Sequence, residues 1–167
     1  DLKAMMAGKD EVVKGLTQGI EFLFKKNKVD YRKGAGKILA AGKVEVTPEK
    51  GKAETLETKN IVIATGSVAM PLPGVDVDEK RIVSSTGALA PKEIPGHLLV
   101  IGGGYIGLEL GMMYRKLGSE VTVLEGTPGA LPGQERDCVK VIERSLKKMK
   151  IKLLSLIHIS EPTRQIR

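Results

Sequence analysis

The chain has 167 residues, 41% apolar and 28% charged, with three tyrosines, two phenylalanines and no tryptophan, enough for one ordinary domain or parts of two but with few rings for stacking bases. Its net charge of +7 would suit a polyanion, yet Lys and Arg are scattered from Lys3 to Arg167 in runs of at most two, interleaved with Asp and Glu, so a nucleic-acid partner is not expected. No stretch of about 18 apolar residues occurs, so no membrane span is expected, and the single Cys138 has no partner for an internal disulfide, which suits a reducing compartment.

In chain order, Val12, Val13, Leu16, Ile20, Leu23 and Phe24 recur at three- and four-residue spacing, predicting a helix over 10–28 with Asp10 as N-cap. Short extended segments follow at 29–33, 37–40, 43–47 and 55–58, separated by the turn-rich GAG, AAGK and PEKGK, and these predict a small antiparallel meander. The β-branched run Ile61, Val62, Ile63, Ala64, ending on Thr65 and Gly66, has the character of a strand buried on both faces. Residues 71–95 carry four prolines and no sustained period, as in a crossing between domains, with a boundary near Pro91. Regularity then returns: a strand at 98–101, a helix at 106–117 with Ile106, Leu110, Met113 and Leu117 inward, a strand at 121–124, a helix near 135–150 with Val139, Ile142, Leu146 and Met149 inward, and a strand from Ile151. This alternation predicts βαβ units and a parallel sheet.

Between the first of those strands and its helix stands Gly102-x-Gly104-x-x-Gly107. Gly102 permits a tight turn, Gly104 lets a pyrophosphate approach the backbone, and Gly107 lets the helix pack closely on the strand. The helix N-terminus adds unpaired N–H groups and a positive partial charge. Glu125 ends the second strand 18 residues after Gly107, placed to accept hydrogen bonds from both hydroxyls of an adenosine ribose. That carboxylate would repel a 2′-phosphate and no Arg follows it in GTPGAL, so NAD is expected rather than NADP.

The ordered blocks MMAGK, FLFKKNKV, KGAGKI, TKNIVIATGS, PLPG, RIVSSTGAL, IGGGYIGLELG and VTVLE resemble, from Met5 to Leu153, the dihydrolipoamide dehydrogenase family within the class I pyridine nucleotide-disulfide oxidoreductases. The resemblance implies an α/β, Rossmann-like, three-layer FAD/NAD(P)-binding fold with a small antiparallel β-meander, here incomplete: 1–90 as the later part of an FAD-binding domain, 91–154 as the start of an NAD-binding domain. It implies FAD contacts at Gly36, Thr65, Gly66 and Ser67. It implies NAD contacts at Gly102, Gly103, Gly104, Tyr105, Ile106, Gly107, Leu108 and Glu109, with Glu109 near the nicotinamide and Glu125 on the ribose. Tyr105 departs from the smaller residue of many members and resembles the flavin-covering tyrosine of glutathione reductases. The whole protein would be a homodimeric flavoprotein of the bacterial cytoplasm or mitochondrial matrix, passing electrons from dihydrolipoamide, on the lipoyl domain of a 2-oxo-acid dehydrogenase complex, to NAD.

The same resemblance marks what is absent. The family's first Gly-rich βαβ, its CxxxxC redox pair and the His and Glu of its interface domain have no match, and the chain opens on Asp1, as a start inside a longer protein would. His97, His158 and Cys138 inherit none of those roles, so no catalytic residue is expected in this chain. GTPGALPGQERD departs from the family's usual loop, and 155–167 has the character of non-native linker. Two alternatives stand beside this reading: a related flavin disulfide reductase of mercuric or glutathione reductase type, and a non-catalytic NAD-binding module.

Overall fold

The computed structural model describes residues 1–156; His158 and the tail from 157 lie outside the described residues. The chain forms two compact units, one over Lys3–Val68 and one from Ala69 onward.

The first unit opens with helix α1 (Leu2–Lys26), whose cap is Asp1: its Oδ1 accepts from the Ala4 N–H at 3.2 Å. The helix begins well before the predicted Asp10 because Lys3, Ala4, Met5, Met6 and Ala7 are all good helix formers; Asp10 instead pairs with Lys9 at 3.2 Å. It ends where Asn27 folds back on the Leu23 carbonyl through its Nδ2 at 2.8 Å. None of its residues is buried.

Strands β1 (Ala35–Ala40), β2 (Lys43–Thr47) and β3 (Glu54–Glu57) form the antiparallel meander in the order β1-β2-β3. The first hairpin closes over two residues, and Gly42 takes the left-handed φ of +72° that such a turn requires. The extended segment expected at 29–33 is not a strand. Side chains rather than a ladder hold it: Tyr31 packs on Phe24 with centroids 5.1 Å apart, Arg32 pairs with Glu54 at 2.9 Å, and Lys33 pairs with Glu21 at 3.0 Å. The run 61–64 is not a strand either. No strand lies beside it to complete a ladder among the described residues, and Val62 and Ile63 are 87% and 72% exposed.

The second unit starts with irregular chain stiffened by backbone-to-side-chain bonds. Asp78 Oδ1 accepts from the amides of Lys80, Arg81 and Ile82 at 2.8–2.9 Å. A short helix α2 (Ser85–Ala88) follows, capped by Ser84 Oγ on the Thr86 N–H at 3.2 Å.

Beyond it come β4 (His97–Ile101), α3 (Tyr105–Lys116), β5 (Glu120–Glu125), α4 (Arg136–Lys148) and β6 (Lys152–Ser155). The strands are parallel with β5 central, as the alternating pattern predicts. Val121, Thr122 and Val123 are consecutive and all buried; since strand side chains alternate between faces, both sides of β5 are covered.

The face of α3 that packs inward matches the expected one only in part: Leu110 and Met113 pack against the core as expected. Leu108, Gly111 and Tyr114 are buried, whereas Ile106 is exposed. Two glycines cause the shift, because they let α3 settle closely on the sheet: a Cβ on Gly111 would stand 3.4 Å from Val121, and one on Gly107 would fall on the Gly102 carbonyl oxygen. Val139 and Leu146 of α4 are buried as expected, with Ile142 and Met149 packed beside them. The core of the unit runs from Ala88 through Val123 and Val139 to Ile151.

Candidate functional site

Strands β4 and β5 end side by side, Ile101 paired with Leu124, so the two turns that leave them lie next to each other. The Gly102 N–H donates to the Leu124 carbonyl at 2.8 Å, and Gly102 adopts φ +109°, a left-handed value that its lack of a Cβ permits. Gly103 then donates its N–H to Glu125 Oε2 at 2.6 Å. The approach is close: a Cβ on Gly103 would stand 3.1 Å from that same oxygen. At Gly104, by contrast, nothing lies within 4 Å of where a Cβ would be. Gly104 is the N-cap of α3, and no side chain caps that helix.

Glu125 is 8% exposed. Burial alone would raise its pKa, but the amides of Gly103, Thr127 and Gly126 and the Thr127 hydroxyl outweigh it and hold the carboxyl below the ordinary glutamate value. Its Oε1 accepts from the Thr127 N–H at 2.8 Å. Each carboxylate oxygen has more than one acceptor direction, so both retain capacity for a hydroxyl donor.

The structure thus brings Gly102, Gly103, Gly104, Gly107 and Glu125 together. Tyr105, 70% exposed, and the exposed Ile106 and Glu109 stand on the first turns of α3. Leu108 points into the core and its amide donates to the Gly104 carbonyl at 3.0 Å. Gly36 lies on β1 opposite Val46. Thr65, Gly66 and Ser67 are exposed in irregular chain, and Gly36 and Gly66 each face open space.

Sequence reasoning missed the loop after β5. Gly126–Leu131 turns back over the glycine bend, and the Leu131 N–H donates to the Gly103 carbonyl at 2.9 Å. The one signal in the residues themselves is the glycine- and proline-rich composition of GTPGALPGQERD. Also missed is Arg115, which donates to the Met149 carbonyl at 2.7 Å and the Ser119 carbonyl at 3.0 Å, tying the end of α4 to the turn before β5.

The family model of the pyridine nucleotide-disulphide oxidoreductases matches residues 2–165. The chain belongs to that family. It is 56% identical over 152 residues to the mitochondrial dihydrolipoyl dehydrogenase of Dictyostelium discoideum, covering 91% of this chain and 31% of that protein. It is 52% identical over 148 residues to dihydrolipoyl dehydrogenase 3 of Pseudomonas putida, covering 89% and 32%. Among solved structures, a copper(II) complex of a variant of the HOCl-induced flavoprotein disulfide reductase RclA from Escherichia coli matches with a TM-score of 0.76 at 30% identity, covering 90% of this chain and 34% of the other. The chain therefore spans about a third of the length of the relatives it matches. Relatives with both mitochondrial and bacterial names are found, and no helix among the described residues is long and apolar enough to cross a membrane.

Proposed function

We propose that the second unit carries the adenosine half of a NAD site, and that the whole protein is an FAD-dependent dihydrolipoyl dehydrogenase. The observation that carries the first part is the 2.6 Å bond from the Gly103 N–H to Glu125, which joins the glycine bend to the acid at the carboxyl ends of adjacent parallel strands, the place where α/β sheets take nucleotides. The relatives' names support the second part.

The residues fit an adenine dinucleotide. The open side of Gly104 leaves room for a pyrophosphate against backbone, and the uncapped start of α3 offers it N–H groups and a positive dipole end. The ionised Glu125 accepts from the ribose hydroxyls and repels a 2′-phosphate. Glu109 and Tyr105, exposed on the first turns of α3, are assigned to the nicotinamide side. Ile106 contributes backbone at the same helix start, and Gly107 and Leu108 hold that helix against the sheet.

The FAD assignment at Gly36, Thr65, Gly66 and Ser67 rests on family resemblance. These residues are exposed and do not by themselves enclose a flavin. The division into a flavin-domain part, 1–90, and a nicotinamide-domain part, 91–154, belongs to the same proposal. When bound, the two cofactors would supply the redox chemistry, FAD taking two electrons from a dithiol as it becomes a disulfide and NAD+ accepting them as hydride. A dithiol relay needs two sulfurs within bonding reach, and the one cysteine here, Cys138, is exposed on α4; this chain alone does not turn over. In the whole protein the substrate is dihydrolipoamide on the lipoyl domain of a 2-oxo-acid dehydrogenase complex, the assembly is a homodimer, and the compartment is the bacterial cytoplasm or mitochondrial matrix.

A second reading, a related flavin disulfide reductase, is favoured by the likeness to RclA and differs in the substrate that exchanges electrons with the flavin. Calorimetric titration of the chain with NADH and NADPH tests the shared part. NADH is expected to bind with NADPH weaker by roughly tenfold or more, as a repelled phosphate requires; equal affinity, or none for either, contradicts it.

A further inference from the structure

The loop after β5 does more than connect. Its start is anchored, because the Thr127 N–H donates to Glu125 Oε1 at 2.8 Å. Its far end is anchored too: Ala130 is buried in the core, and Leu131 packs against that core. Leu131 nevertheless holds φ at +49°, a conformation that costs a side chain with a Cβ and persists only where the surroundings over-determine it. From that position its N–H meets the Gly103 carbonyl at 2.9 Å.

Both peptide groups flanking Gly103 are therefore held by one stretch of chain, 125–131. Glu125 takes the N–H of the 102–103 peptide, and Leu131 takes the C=O of the 103–104 peptide. In a planar trans peptide the C=O and N–H point in opposite directions. Fixing the Gly103 carbonyl on Leu131 therefore turns the Gly104 N–H away from the loop, at a glycine where nothing stands within 4 Å of the position a Cβ would take.

We propose that Gly126–Leu131 is a strap, with Leu131 as a positioning residue, that aims the Gly104 N–H at a ligand's diphosphate before any ligand arrives. The inference rests on the dinucleotide reading above. It explains why a non-glycine residue is kept in a left-handed conformation beside a glycine bend.

The test uses the whole chain with ADP-ribose as probe, read by calorimetry together with amide hydrogen exchange. Leu131→Pro removes the donor and, with φ locked near −65°, cannot adopt the strap's geometry; Leu131→Asn keeps the donor and tolerates a left-handed φ. A bend that holds its shape a tenth of the time binds about tenfold more weakly, so L131P is expected to lose about that factor and the protection of the Gly103 amide. L131N is expected to stay near the parent on both. Unchanged affinity and Gly103 protection in L131P would overturn the strap. In the unmodified chain the Leu131 and Gly103 amides are expected to exchange together, a readout that survives if L131P does not fold; a Gly103 amide that stays protected while Leu131 exchanges freely overturns the proposal. Leu131-dependent protection of Gly103 without any ADP-ribose binding supports the clamp and overturns the dinucleotide reading instead.

Discussion

The two units use similar materials to opposite effect. In the unit from Ala69 onward, two helices and a parallel sheet bury Leu108, Tyr114, Val121, Val123, Val139 and Leu146 in one core. In the unit over 3–68, a 25-residue helix buries none of its residues, and Val46 is the one buried apolar side chain among its described residues. Yet α1 has a regular apolar stripe and the run 61–64 is as β-branched as any strand of the parallel sheet. Periodicity states which face wants burial; whether it is buried depends on an opposing surface. The second unit contains its own opposing surfaces, since each helix returns the chain to the sheet that the next strand extends.

The contrast can be broken most forcefully at Leu146, which is 2% exposed. Leu146→Ala is expected to destabilise the second unit by about 2–5 kcal/mol through lost transfer energy and a residual cavity, measured as a drop in the denaturant midpoint of protected β5 amides. A smaller effect is expected at the site. Glu125→Gln removes charge from a set of amide hydrogen bonds, at a cost of roughly 1–3 kcal/mol.

That prediction carries a pH signature. The folded pKa of Glu125 lies below the ordinary value, so its stabilisation is complete above about pH 4.5 and is lost as pH falls through the lowered value. The second unit should weaken on acidification in that window, and E125Q should flatten the slope; an unchanged slope in E125Q contradicts the assignment.

Ser84→Ala removes the cap of α2 and is expected to cost about 1 kcal/mol, visible as faster exchange at Thr86. At the small end, Leu16→Ala on the exposed stripe of α1 should change stability by less than about 0.5 kcal/mol. A loss comparable with that at Leu146 would mean that the stripe is packed, and the contrast between the units would fail.

Much of the second unit was legible beforehand, for a physical reason. Gly102, Gly104, Gly107 and Glu125 are specified by backbone geometry and charge, which residue type reveals directly, and the strands of a self-covered parallel sheet are apolar runs of fixed length. The inward face of α3 was legible only in part: Leu110 and Met113 pack on the core as expected, but Leu108 and Tyr114 were missed, because Gly107 and Gly111 add nothing to an apolar count yet set how closely and at what rotation the helix meets the sheet. Leu131 was also hidden: a left-handed leucine has no sequence signature, since its strain is offset by packing at Ala130 and a bond to Gly103. In the first unit, the three paired strands followed from alternation and turns, while 29–33 and 61–64 have strand-like residues but no ladder.

Under the proposed function, the glycine bend and Glu125 together receive an adenine dinucleotide. Amide chemical shifts of the isotopically labelled chain, followed while NADH is added, test it most directly. Perturbations concentrated at Gly102–Gly107 and Glu125–Leu131, saturating with concentration, are predicted. Saturable shifts confined to α1 and the meander, or none at Gly103 and Gly104, would contradict it.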